Sequence, residues 1–400
     1  MSDGQQLNDW ADYRFSELLH DESISYGIVQ PGEHTEVDSV PIVRVNNIKN
    51  GYILTDDVLK VSSEIEQKYQ RTRLVGGELL ITVVGSVGEC AIVPASLKGW
   101  NVARAVSVAR IKDAFDIRFT KYCFKTEDLK FQMYGNTNDT VQPTLNLSLL
   151  KNLILRIPDR REQSAIALVL SSLDDKIDLL HRQNKTLEAL AETLFRQWFV
   201  EEADEIWESC TVGEVLTVKG GTTPSTSEPG YWDGAIPWTT PRDLSDQRSV
   251  YLFDTIRKVT PLGLAQIGSG LLPAGTVLLS SRAPIGYLAI ADIPMAVNQG
   301  YIAIVCDDGI PNYYAYLWCK HQMGVIKSAG NGSTFEEISK SSFKALTFQV
   351  PPTSKLEAFD GIAASIFEKL RANGRQALNL QKLRDTLLPK LMSGEVRVAY

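Results

Sequence analysis

Four hundred residues with 44% hydrophobic content are enough for two or three ordinary domains, each able to bury a core. No run approaches about 18 consecutive apolar residues and the polar start carries no secretory h-region, which excludes a membrane span and points to the cytoplasm. A net charge of −7 argues against nucleic acid as a partner, yet most of the excess acid falls in 159–206 and the globular portions stay near neutral. Near-neutral domains can still bind DNA if their cations cluster, but they would need help with the phosphates. Cys90, Cys123, Cys210, Cys306 and Cys319 form no CxxC pair, which favours reduced buried thiols over a disulfide frame or zinc site.

Residues 1–158 read as one globular unit of mixed strands and helices. A β-branched strand with alternation starts at Pro41 and ends in amide side chains. Residues 77–88 give a buried strand closed by a glycine turn, residues 103–111 another strand, and residues 116–134 a helix. A polar loop follows Gly135. From Ile166 an apolar stripe then runs at alternating steps of four and three: Ile166, Leu170, Leu173, Ile177, Leu180, Asn184, Leu187, Ala191, Leu194, Trp198. That 3.5-residue spacing keeps one seam of a long helix facing a partner helix. The segment 159–206 is therefore a spacer, about 57 Å long if some 38 residues are helical.

Residues 207–352 repeat the order of the first unit. The strand at Pro237 matches that at Pro41, residues 275–286 match 77–88 with glycine at both ends, and Gly330 opens a loop like that at Gly135. In 353–400 the stripe returns 193 positions later at Phe359, Ala363, Ile366, Leu370, Asn373, Ala377, Leu380, Leu387 and Leu391, with Leu383 in the place of Leu190. One unit of domain plus helix is written twice, which means duplication. Each stripe finds its partner in the other. Asn184 and Asn373 lie on the seam, where a polar residue either sets register or marks a solvent-facing position.

Catalytic signatures are scarce. There is no Walker A run, no methyl-donor loop with its partner motif and no histidine cluster. A carboxylate and lysine set at Asp56, Asp57, Glu66 and Lys68 has the composition of a metal-dependent nuclease, but a charged helix face accounts for it better. Side chains suited to base edges are more frequent. In the first domain they are Arg44, Asn46, Asn47, Lys49, Asn50, Ser86, Arg104, Asn136, Asn138 and Thr140. In the second they are Thr239, Thr240, Arg242, Ser280, Ser281, Arg282, Asn298, Gln299, Asn331, Ser333 and Thr334. Arginine pairs bidentately with guanine and Asn or Gln with adenine, whereas Ser and Thr mostly position phosphates. Any one of them is equally well a turn or cap residue; their recurrence at matched positions is the signal. Lys121, Lys125, Lys130 and Lys320 are candidate phosphate contacts.

The whole chain resembles the specificity subunit of a type I restriction-modification system. The resemblance rests on the run from Gly220 and Gly221 through Thr222, Thr223, Pro224 and Ser225, on Tyr231 and Trp232, and on Ile236, Pro237, Trp238, Asp243 and Leu244. Proline exits from each domain, Glu162 and Gln163 opening the first helix and the run Leu391, Met392, Ser393, Gly394 complete it. The first domain lacks the Gly-Gly-Thr-Pro run. The resemblance implies a mixed α/β fold: two similar target-recognition domains separated by two long antiparallel helices forming a coiled coil, with a pseudo-two-fold internal repeat. The helices would pair through Ile166, Leu170, Leu173, Ile177, Leu180, Leu187 and Leu194 on one side and Ile366, Leu370, Leu380 and Leu387 on the other. It further implies double-stranded DNA, two modification methyltransferase subunits and restriction subunits as partners. No cofactor or metal is expected in this chain: S-adenosylmethionine belongs to the modification subunit, ATP and Mg to the restriction subunit. The rival readings are a stand-alone nuclease or methyltransferase fragment, and a coiled-coil scaffold that never touches DNA.

Overall fold

The computed structural model describes residues 10–135, 144–204, 207–245, 247–307, 309–330 and 336–399. The chain divides into two compact units, Met1–Asp175 with Gln381–Tyr400, and Lys176–Leu380. Each therefore takes a globular part together with a length of both long helices.

In the first unit, Ala11–Arg14 pairs antiparallel with Ile154–Ile157 and so clasps the start of the globular part to its end. A four-stranded antiparallel sheet follows in the order Leu19–Tyr26, Val106–Ile111, Leu79–Thr82, Cys90–Ile92. A three-stranded sheet has Ser39–Val43 at its centre, antiparallel to Leu59–Ser62 and parallel to Asn101–Val102. Leu79–Thr82 is buried throughout, which is why it reads as an unbroken apolar run. The region expected as one helix, 116–134, is two: Ile117–Cys123 capped by Asp116, and Glu127–Tyr134 capped by Thr126. A side-chain cap at Thr126 starts a new helix within a stretch whose apolar pattern continues across it.

The second unit repeats this plan. Glu208–Thr211 clasps Thr347–Val350. The larger sheet runs Thr217–Lys219, Tyr301–Val305, Val277–Ser280, Leu288–Ala291, with Tyr251–Leu252 added parallel at its edge. The smaller sheet centres on Trp232–Thr239, flanked by Arg257–Val259 and Ala296–Val297. The internal repeat read from the sequence is thus also a repeat of strand order.

The long helices are Arg160–Arg196, continued by a wider helical turn over Gln197–Glu201, and Thr353–Ser393. In the first unit, Ile166 and Leu170 share a core with Leu388, Leu391 and Met392 as well as with Phe15, Phe119 and Tyr122. In the second, Ile177 and Leu180 meet Ala377 and Leu380, while Phe195 and Phe199 join Phe359, Phe367, Tyr314 and Phe348. Residues that rise in number along one helix meet residues that fall along the other, so the pairing is antiparallel in both units. Ile366 and Leu370 are buried; Leu173, Leu187, Leu194 and Leu387 are half-buried beside the seam. Leu190 and Leu383, at equivalent positions, are 47% and 46% exposed and stand off it.

Two polar layers interrupt the seam. Asn373 Nδ2 donates to Asn184 Oδ1 at 3.0 Å, and Asn184 Nδ2 donates to the Leu370 carbonyl at 3.2 Å, with both residues buried. The register reading of these asparagines is the one the geometry supports. Asn184→Leu alone should strand the buried Asn373 amide and cost about 1–3 kcal/mol. Adding Asn373→Leu should recover most of that loss, because both polar partners are then gone. Urea midpoints of the two single variants and the double variant measure this, and additive losses would show that the amides act independently.

The second layer is ionic. Asp174, 5% exposed, accepts from Tyr122 Oη at 2.7 Å and Arg384 Nη1 at 2.7 Å, with Lys125 Nζ at 3.8 Å. Away from the seam, in the second unit, Asp292 of the globular part is gripped by Arg371 and Arg375 of the second long helix, and Glu188 of the first takes Lys320 Nζ and Tyr316 Oη of that part, each at 2.6 Å. All five cysteines are free thiols. No helix among the described residues is long and apolar enough to cross a membrane.

Candidate nucleic-acid interface

The turns that carry the polar patches are closed by side-chain hydrogen bonds to their own backbone. In the second globular part, the backbone at Gly221 runs so close to Ala296–Val297 that a Cβ there would lie 1.6 Å from the Val297 carbonyl oxygen. Two indoles then pin the segment that follows. Trp238 Nε1 donates to the Thr222 carbonyl at 3.3 Å and Trp232 Nε1 to the Ser225 carbonyl at 3.0 Å. The two rings meet edge to face, centroids 5.0 Å apart. Thr223 Oγ1 donates to Gln299 Oε1 at 2.7 Å. The Gly-Gly-Thr-Thr-Pro-Ser run and the two tryptophan motifs are therefore halves of one interlock.

The turn after Trp238 is closed by Asp243, whose Oδ2 accepts from Thr240 N at 2.8 Å and Oγ1 at 3.1 Å, and whose Oδ1 accepts from Ile256 N at 2.8 Å. This leaves Arg242 exposed on the turn. Thr239 is fully buried against Tyr301 Oη at 3.2 Å. Ser280 Oγ donates to the Pro284 carbonyl at 2.8 Å and accepts from the amides of Gly286 and Tyr287 at 3.1 and 2.8 Å, closing the next turn from within. Ser281 is buried too. Arg282 faces Glu337 at 3.7 Å, Asn298 Oδ1 accepts from Gly300 N at 2.9 Å, and Gln299 is exposed.

In the first globular part, Asn47 is buried, accepting from Arg44 N at 2.9 Å and donating to the Asp57 carbonyl at 2.7 Å. The Arg44 guanidinium takes the same carbonyl at 3.2 Å and Asp57 Oδ2 at 3.1 Å. Asn46, Lys49, Asn50, Ser86 and Arg104 are exposed. Asn136, Asn138, Thr140, Asn331, Ser333 and Thr334 lie outside the described residues.

The expectation that Asn47, Thr239, Ser280 and Ser281 reach base edges is corrected by this geometry: each is buried, and the side chains of Asn47, Thr239 and Ser280 are spent on holding a turn. Of the four lysines, the buried Lys121 is corrected likewise, whereas the other three are partly exposed and each lies beside a carboxylate. Lys121 is buried under the turn at Gly51, Lys125 lies beside Asp174, Lys130 pairs with Glu127 at 2.8 Å, and Lys320 takes Glu188 and Glu192, each at 2.6 Å. The nuclease set dissolves as well. Glu66 is buried, accepting from Arg73 Nε at 2.8 Å and Asn101 Nδ2 at 3.0 Å, and the Arg73 hydrogen bond foremost holds its carboxyl below the usual range. The sequence candidates still exposed in the first part are Asn46, Lys49, Asn50, Ser86 and Arg104, with Arg44 held by Asp57. In the second, Arg242 and Gln299 are exposed, Gln299 accepting from Thr223, while half-buried Thr240 and Asn298 are bonded to Asp243 and the Gly300 amide and Arg282 is held by Glu337.

A family model described as the type I restriction modification DNA specificity domain matches residues 8–189 and again 204–382. The chain belongs to this type I DNA specificity family. It is 31% identical over 194 residues to the type I restriction enzyme MjaIX specificity subunit of Methanocaldococcus jannaschii, a match over 48% of this chain and 45% of that relative, less than half its length. It is 23% identical over 341 residues to the HindI specificity subunit of Haemophilus influenzae, covering 66% of this chain and 74% of that one. In fold it is similar to a type I restriction-modification S subunit from M. genitalium, with a TM-score of 0.59 at 17% identity over 98% of each chain.

Within this type I DNA specificity family, the first domain's missing Gly-Gly-Thr-Pro run has a structural counterpart that the sequence alone did not disclose. Gly27 follows the strand Leu19–Tyr26 as Gly221 follows Thr217–Lys219, and a Cβ on it would lie 2.0 Å from the Val102 carbonyl oxygen. The signal available was a lone glycine directly after a strand. Arg257 carries no mark in the local sequence either; what distinguishes it is the Trp232 ring beneath it.

Proposed function

We propose that this chain is the DNA specificity subunit of a type I restriction-modification complex. It would read an asymmetric two-part site, one half per recognition domain, and dock two modification methyltransferase subunits and the restriction subunits in the cytoplasm. The observation that carries this reading is the recurrence of one recognition fold, matched twice by the same family model, with polar turns exposed at equivalent places in both copies. Exposed Arg104 and Arg242 have the fork geometry for guanine, and exposed Asn46 and Gln299 the amides for adenine. Catalysis is assigned to the partners: S-adenosylmethionine to the modification subunits, which would flip the target base, and ATP with Mg to the restriction subunits.

Purified chain mixed with DNA and labelled methyl donor should incorporate no label until a modification subunit is added, and incorporation should then map to two short sequences separated by an unread gap. Stoichiometric incorporation by the chain alone would overturn the division of labour. Methylation confined to one contiguous sequence would overturn the two-domain reading.

A further inference from the structure

One arginine of the second recognition domain is mounted differently from the others. The strand Arg257–Val259 lies antiparallel to Trp232–Thr239 with Arg257 opposite Trp238. Its guanidinium carbon sits 3.5 Å from the Trp232 ring centroid and 5.6 Å from that of Trp238. Both rings are buried and locked edge to face, so the platform is rigid. Stacking uses the face of a guanidinium and leaves its N–H edges free. Arg257 is exposed and has no carboxylate partner among the described residues. Its neighbour Ile256 is tied by Asp243 to the turn that presents Arg242. In the first domain the corresponding pair is Leu59 opposite Ile42, so the mount exists in one domain only.

Resting on the function proposed above, we propose that Arg257 is a DNA contact of the second domain, offering two parallel N–H donors to a bidentate acceptor. Guanine O6 and N7, or two phosphate oxygens, have that chemistry. The tryptophan platform fixes the plane of the fork before DNA arrives, so little side-chain entropy remains to be lost on contact.

The test uses the full chain assembled with its modification subunit, comparing wild type, Arg257→Lys and Arg257→Ala by methylation mapping, by DNA binding across a salt series and by thermal unfolding. If the acceptor is guanine, both variants relax preference at one position of one half-sequence by about five- to a hundredfold, and the other half-sequence is unchanged. If it is phosphate, Arg257→Ala weakens binding evenly across sequences, lowers the salt slope by about one and is largely rescued by Arg257→Lys. Variants that lower only the thermal midpoint, or that change neither preference nor salt slope, would overturn the inference. A wild-type assembly that methylates no two-part site would instead overturn the proposed function.

Discussion

Replacing Asp174 by alanine should cost the first unit about 3–5 kcal/mol, the range expected when one member of a buried, hydrogen-bonded ion pair is removed and its partner charge is left behind. The carboxylate joins three elements: Tyr122 on Ile117–Cys123, its own long helix, and Arg384 on the other. Tyr52 Oη also donates to the Asp174 carbonyl at 3.0 Å, so the backbone at this point is held as well. Burial works against the charge, but Lys125, Arg384 and Tyr122 together outweigh it and hold the carboxyl below its ordinary value of 3.8. The folded state thus binds this proton more weakly than the unfolded chain does. Its stabilisation is complete above the ordinary value and is lost as pH falls through the lower folded value. Hydrogen exchange of the amides in Leu79–Thr82 reads the effect directly. Protection in the Asp174→Ala variant equal to wild type at neutral pH would mean that the ionic layer contributes nothing net.

Gly221→Ala should be nearly as damaging to the second unit, at about 3 kcal/mol or more, the upper end of what overpacking costs. The obstacle is a backbone carbonyl in a paired strand, which cannot swing aside as a flexible side chain would. Because Thr222 and Ser225 are pinned by Trp238 and Trp232, displacement of the backbone there should disturb both indoles. A red shift of tryptophan emission should accompany the fall in thermal midpoint, and Gly27→Ala should lower stability of the first unit without that shift. An unchanged midpoint for Gly221→Ala would show that the segment moves away freely and that the interlock is loose.

Periodicity and repetition made the architecture legible. The alternation of four and three steps from Ile166 to Trp198 names the seam, and its recurrence 193 positions later names the partner. The glycine-bounded runs 77–88 and 275–286 locate the same buried strand and turn twice. Individual side chains are harder to read, since a polar residue near a turn looks the same whether it faces solvent, as Ser86 does, or bonds the turn from a strand end, as Thr82 and Ser280 do. The stripe gave no warning of Asp174 either. It stands beside Leu173 in sequence, and a flank residue is buried only when another element covers it, as Ile117–Cys123 does here. Lys320 seemed free for phosphate because Glu188 and Glu192 are more than a hundred residues away in sequence. Gly27 and Arg257 depend on contacts with other strands for their meaning, so no local pattern could announce them.

The division of the long helices has a consequence for synthesis. The first unit is incomplete until residues 381–393 have been made, because Leu388, Leu391 and Met392 cover Ile166 and Leu170, and Arg384 answers Asp174. At roughly 5–20 residues per second of translation, its apolar helix face waits on the order of tens of seconds after emerging. The second unit draws only on 176–380 and closes earlier. The half of the protein that leaves the ribosome first is the half that finishes folding last, and a nascent chain stalled anywhere in that interval exposes a seam suited to capture by any other long apolar helix.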